Sequence, residues 1–132
     1  QELYINNNLF SGKVPNLSNC PSLVQFNAKN NQLIGYDAGS LSTNTLIETV
    51  ELRNNNLTAA DGVRIINDLY DNYQASPNRY GVVKVNLTNN STLTLFNVSN
   101  DGTAGTPNST LDKLNFLRST AGANWSISMN EI

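Results

Sequence analysis

The chain has 132 residues, enough for one domain with a modest core, and its ten acidic and eight basic side chains give a net charge of −2. Only 14% of residues are charged against a usual share of about a quarter, and the basic ones are scattered, so no stripe exists for a phosphate backbone and nucleic acid is excluded as a partner. Histidine is absent, Cys20 is the single cysteine and no apolar run reaches the length of a membrane span, which removes the commonest general base, an internal disulfide, a thiolate zinc cluster and membrane insertion.

Three stretches from the N-terminus onward repeat one pattern: Leu3-x-Ile5-x-x-Asn8-x-Phe10, Phe26-x-Ala28-x-x-Asn31-x-Leu33 and Val50-x-Leu52-x-x-Asn55-x-Leu57. The marker asparagines are 23 and then 24 residues apart, a period that predicts stacked supersecondary units. Within each unit the alternating apolar pair reads as a short strand with an inward face. The following turn leaves backbone N–H and C=O groups away from water, and an asparagine amide carries both the donors and the acceptor that satisfy them. Asn8, Asn31 and Asn55 are therefore expected to form a ladder of buried amides, and replacing one with leucine to cost about 1–3 kcal/mol.

After Asn55, Val63, Ile66, Leu69, Tyr70 and Tyr73 share helical spacing over 59–73, with Thr58 or Asp61 as the cap and Pro77-Asn78 at the exit. A strand is predicted over 82–87, where Val85-x-Leu87-x-x-Asn90 echoes the pattern, and Thr92–Val98 alternates imperfectly as an added strand or hairpin. Asn100–Asn108 reads as an exposed Gly/Thr-rich loop. Ser109 or Thr110 then precedes Leu111, Leu114 and Leu117 on one helical face, and Trp125, Ile127 and Met129 close with strand alternation. Units are expected at about 1–22, 23–45, 46–79 and 80–108, with a closing unit at 109–132 in which Trp125 is a structural plug. The chain opens inside the first unit without an initiator methionine, and it reads as a fragment of a longer polypeptide.

These residues resemble the leucine-rich repeat family. The run Leu3-Tyr4-Ile5-Asn6-Asn7-Asn8-Leu9-Phe10-Ser11-Gly12-Lys13-Val14-Pro15 is similar to the extracellular LxLxxNxFSGxIP variety of plant receptors, and the loop, short helix and final tryptophan strand resemble the last unit of viral and bacterial leucine-rich surface proteins. The resemblance implies an α/β solenoid: a short horseshoe with a concave parallel sheet and convex turns and short helices. On it the outward residues of the concave face are Tyr4 and Asn6, then Gln25, Asn27 and Lys29. Thr49, Glu51 and Arg53 follow in the third unit, and Lys84, Asn86 and Thr88 in the fourth, with Asn90 as a fourth inward amide.

Function is accordingly expected to be non-enzymatic recognition of a protein or carbohydrate ligand by that face, in an extracellular, cell-surface or virion-associated setting and without a cofactor or metal. The alternative expectation is a structural subunit of a virion appendage or extracellular filament that assembles through the solenoid ends or convex helices. The N-terminal side of Leu3 and Ile5 has no visible cap, so a neighbouring domain or subunit is expected there. Eight Asn-x-Ser/Thr triplets, at Asn16, Asn56, Asn86, Asn89, Asn90, Asn97, Asn108 and Asn124, are what a chain with 24 asparagines generates readily. For catalysis the candidates are scattered carboxylates: Asp68 and Asp71 are expected on one solvated helix face, Asp61 near the helix start, and Asp37 and Asp101 in loops without calcium-ligand spacing. Cys20 lacks a histidine partner and reads as a turn thiol.

Overall fold

The computed structural model describes residues 1–79, 81–103, 105, 106 and 108–132, and among them the chain forms short strands. They are β1 (Glu2–Tyr4), β2 (Ser11–Lys13), β3 (Gln25–Asn27), β4 (Gln32–Gly35), β5 (Thr49–Glu51), β6 (Lys84–Asn86) and β7 (Ser126–Ser128). The main sheet is parallel throughout in the order β1-β3-β5-β6-β7, and β2 and β4 make a second parallel pair. Its register aligns Leu3, Phe26, Val50, Val85 and Ile127 as Cα partners. One side chain per strand thus enters a single core that extends from Val14 to Met129.

The chain leaves four of these strands through a left-handed residue. Asn7, Asn30, Asn54 and Asn89 have φ of 59°, 58°, 55° and 57°, a conformation that asparagine tolerates better than other residues with a Cβ. The asparagines that follow the last three, Asn31, Asn55 and Asn90, are thereby turned toward the interior, whereas Asn8 is exposed.

Helices supply much of the return path. α1 (Ala59–Ala75) starts at Thr58, whose side chain accepts from the Asp61 N–H while the Asp61 carboxylate accepts from the Thr58 N–H, a complete capping box. α2 (Leu95–Ser99) is capped by Thr94 and α3 (Thr110–Arg118) by Ser109, and α1 packs against both. At the α1–α2 contact a Cβ on Gly62 would lie 2.9 Å from Leu93 Cγ and 3.1 Å from Val98 Cγ2. Gly62→Ala is therefore expected to lower the thermal midpoint, although alanine in a helix interior ordinarily gains about 1 kcal/mol over glycine; a raised midpoint in a thermal melt would contradict this packing.

Several expectations need correction. Thr92–Val98 is not an added strand: the Thr94 hydroxyl accepts from the Asn97 N–H, and the chain turns into α2 with Val98 buried. Of the loop expected at 100–108, Ala104 and Pro107 lie outside the described residues. Asp68 is not solvated beside Asp71; Asp71 is exposed, whereas Asp68 is buried against the segment from Tyr36 to Leu41.

The larger correction concerns the architecture. The chain is a single α/β domain with a five-stranded and a two-stranded parallel sheet and three helices among the described residues, not a leucine-rich repeat solenoid, and no curved, repeating horseshoe sheet is present. The aligned strand centres Leu3, Phe26, Val50, Val85 and Ile127 fall 23, 24, 35 and 42 residues apart, so the initial period is lost. The return paths differ as well: β2 and β4 serve the first two strands, whereas the 17-residue α1 and then α2 and α3 pack together behind the others. This helical layer shares one core with the sheet, and the packing of that shared core overrides the periodic signal. The resemblances to plant-receptor repeats and to viral or bacterial leucine-rich surface proteins fall with the horseshoe. So do the expected concave-face recognition module and the virion-appendage or filament subunit.

Candidate functional site

The sheet brings the outward residues expected from the sequence onto one face. Glu2, Gln25, Thr49, Lys84 and Ser126 form one row of Cα partners, and Tyr4, Asn27, Glu51, Asn86 and Ser128 the next. Asn6, Lys29, Arg53 and Thr88 follow just beyond the strand ends, each half-buried. Much of the hydrogen-bonding capacity here is already used. The Tyr4 hydroxyl donates to Gln25 Oε1 at 2.8 Å, Asn27 Oδ1 accepts from the Lys29 N–H, and Asn86 Oδ1 accepts from both the N–H and hydroxyl of Thr88. Glu51 and Arg53 form an ion pair at 3.7 Å, too long for a good hydrogen bond.

Behind this face the inward asparagines obey one rule. Asn31 Nδ2 donates to its own Ala28 carbonyl and to the Ile5 carbonyl of the preceding strand segment, while its Oδ1 accepts from the Phe10 N–H. Asn55 repeats this with Leu52, Ala28 and Leu33, and Asn90 with Leu87, Leu52 and Leu57. Each amide thus joins two neighbouring segments through a carbonyl and an N–H. Asn8 does not belong to the buried set: it is exposed, and its Nδ2 donates only to the nearby Ile5 and Asn6 carbonyls. A second, outer row joins the left-handed asparagines: Asn89 donates to Asn54, Asn54 to Asn30 and Asn30 to Asn7, at 2.8, 2.5 and 2.5 Å.

The two ends of the sheet are unlike. At the β7 end Arg118 covers the Ile127 carbonyl with Nε at 3.0 Å and Nη2 at 2.7 Å, and α3 packs on the strand. Trp125 is buried there, edge-on to Tyr73 with centroids 5.7 Å apart and with the Arg79 guanidinium 5.2 Å over its ring. At the β1 end the equivalent positions lie open. Phe10 is 49% exposed, although its counterparts Leu33 and Leu57 are each 1% exposed. Leu3 and Ile5 are only partly buried, whereas Phe26, Ala28, Val50 and Leu52 are fully so. Beside β1 lies a shallow groove lined by Ile5, Phe10, Ser11, Lys13, Pro15 and Leu33. Its basic side chain, Lys13, is held by Asp37 at 2.7 Å, a contact that lowers the Asp37 carboxyl below its ordinary value.

The buried carboxylates are occupied by the fold. Asp68 accepts from the Tyr36 hydroxyl at 2.5 Å and from the Gly39 and Leu41 N–H groups at 2.9 and 3.2 Å, and burial, reinforced by this carboxylate, raises the Tyr36 hydroxyl far above its ordinary value. Asp61 accepts from the Tyr36 N–H and pairs with Arg64. Among the described residues no three His, Cys, Asp or Glu side chains gather where they would hold a metal ion, and no helix is long and apolar enough to cross a membrane.

No family model matches the chain, nor does any curated protein or solved structure. The residues that distinguish the β1 end, Phe10 and Asn8, were both legible as inward positions. Their exposure had no signal in the pattern, because the pattern is the same in all three stretches. The outer row through Asn7, Asn30, Asn54 and Asn89 was overlooked, although each of these residues directly precedes an inward asparagine.

Proposed function

We propose that this chain is a non-catalytic domain whose β1 end receives a polypeptide segment of a neighbouring domain or subunit. The observation that carries the reading is the exposure of Phe10, with Leu3 and Ile5 beside it, at positions that are buried in the next two segments. Partly exposed apolar side chains next to an edge strand are the surface on which an added strand gains both apolar burial and backbone hydrogen bonds. A non-catalytic role is supported by the engagement of Asp61 and Asp68 with backbone N–H groups. Nucleic acid is disfavoured because Lys13, Arg53, Arg64 and Arg118, half of the eight basic side chains, are each paired with a carboxylate. An extracellular setting belongs to the same proposal and is supported by the weakly charged, asparagine-rich composition.

Selection of peptides from a random displayed library on the immobilised chain tests this reading. Binders should be recovered whose affinity falls at least about tenfold on Phe10→Glu, a loss of about 1.4 kcal/mol, while circular dichroism shows the fold intact. Binders indifferent to Phe10→Glu, or none at all, would overturn it.

A further inference from the structure

We infer that the cavity at the N-terminal ends of β5 and β6 seats a monocarboxylate with a short aliphatic body, held between the Arg79 guanidinium and the Lys84 ammonium. The cavity has a volume of about 320 Å³, and Ile47, Glu48, Arg79, Val82, Val83 and Lys84 line it. It is separate from the β1 end and does not depend on docking there.

Arg79 follows α1, and its guanidinium is fixed on several sides. Nε donates to the Ser76 carbonyl at 3.1 Å, Nη2 donates to the Asn72 carbonyl at 2.7 Å, and the group lies 5.2 Å over the Trp125 ring. These contacts brace the C-terminal end of α1 but leave Nη1 over. That nitrogen is buried and donates to no described group. Among the described residues no carboxylate forms an ion pair with Arg79 or with Lys84. Arg118 is the contrast: it clips a carbonyl in the same manner, yet its Nη2 also meets Glu131 at 3.1 Å. A buried cationic donor without an acceptor is costly, and burial lowers the Arg79 guanidinium below its ordinary pKa.

One carboxylate oxygen supplies the acceptor that Nη1 lacks, and the other faces the Lys84 ammonium. Glu48 limits the charge of the occupant, because its carboxylate lines the same cavity and repels a dianion such as hydrogen phosphate. Ile47, Val82 and Val83 give an apolar wall for an aliphatic body. Glu48 and Lys84 are exposed, so theirs are the side chains that an entering carboxylate rearranges to reach Nη1. A small free acid and the C-terminal carboxylate of a polypeptide share this chemistry.

Isovalerate is the probe, titrated into the chain at neutral pH and constant ionic strength. It should change the fluorescence of Trp125 saturably with a Kd of about 1–10 mM, because the guanidinium that meets the carboxylate lies over that ring. The Val83 and Lys84 amide resonances of the isotope-labelled chain should shift over the same range. Isovaleramide should do neither, and phosphate should bind more weakly. Lys84→Gln should raise the Kd about fivefold with an unchanged circular dichroism spectrum, whereas Lys29→Gln, which removes the same charge away from the cavity, should not. The peptide Ala-Ala-Leu and its C-terminal amide separate the two sources. A free-acid peptide that binds more tightly than isovalerate assigns the site to a polypeptide C-terminus, and a weaker one assigns it to a small acid. Absence of any saturable change, equal binding of isovaleramide, tighter binding of phosphate, or a Kd indifferent to Lys84→Gln would each overturn the carboxylate seat. Amide shifts without a Trp125 response would overturn it as well, since Arg79 would then take no part.

Discussion

Asp68→Leu should lower the unfolding free energy by about 3 kcal/mol, the largest loss expected from a polar side chain in this molecule. The carboxylate is 4% exposed and accepts from three donors: the Tyr36 hydroxyl and the N–H groups of Gly39 and Leu41. Leucine keeps the branching of the aspartate side chain but is bulkier, so the variant opens no cavity; it leaves the Tyr36 hydroxyl and the Gly39 N–H facing an apolar group, while the Leu41 N–H keeps the Tyr36 oxygen at 3.1 Å. An unsatisfied buried donor typically costs about 1–3 kcal/mol, and partial access of water to Gly39 keeps the sum below two full penalties. Asp68→Asn retains one acceptor oxygen and should fall between the wild type and the leucine variant. Urea unfolding followed by the fluorescence of Trp125, the single tryptophan, measures the effect as a shift in midpoint with unchanged slope. Equal midpoints for wild type and Asp68→Leu would show that Asp68 does not hold the segment from Tyr36 to Leu41 against α1.

Asn90→Leu should cost about 2–3 kcal/mol, and Asn8→Leu should stay within about 0.5 kcal/mol of wild type. The two positions carry the same local pattern, so the contrast isolates tertiary context. Asn90 is 0% exposed; its Nδ2 donates to the Leu52 and Leu87 carbonyls at 3.1 and 3.0 Å, and its Oδ1 accepts from the Leu57 N–H at 2.9 Å. Leucine there strands two carbonyls and one N–H in the core. At Asn8 the Ile5 and Asn6 carbonyls turn to water once the amide is gone. The same urea titration checks both variants, and a loss at Asn8 as large as that at Asn90 would mean that the β1 end is closed in the free chain. Asn90 is also the first residue of an Asn-x-Thr triplet, and its complete burial rules it out as a glycosylation acceptor in the folded chain.

Much of the local structure was legible because it depends on neighbours in sequence. Thr58 or Asp61 was legible as the cap, and α1 begins there, with the structure using both residues in one capping box. Asn31, Asn55 and Asn90 each bond to a carbonyl three residues earlier, a contact that any chain with this turn makes on its own. The reading failed where a residue's environment is set by distant segments. Asp68 sits three residues from Asp71 on α1, and helical spacing alone assigns both to one exposed face. Burial of Asp68 follows from a segment about 30 residues away that presents three donors to it. Thr92–Val98 alternates like a strand, yet the cap at Thr94 and the pocket filled by Val98 turn it into a helix.

By itself the sequence determined which residues alternate, which asparagines stand at strand exits and where the long helix starts, since periodicity, turn chemistry and capping act within a few residues. Only the tertiary structure decided that the return paths merge into one helical layer over a shared core instead of repeating as a horseshoe. The sequence already set an uncapped N-terminal side against a closing unit with Trp125, but only the tertiary structure placed Arg118 on the Ile127 carbonyl at one end and exposed Phe10 and Asn8 at the other. The physical reason is that burial belongs to the neighbour: the same apolar-x-apolar-x-x-Asn pattern is core when a segment packs on both sides of it and surface when one side has none.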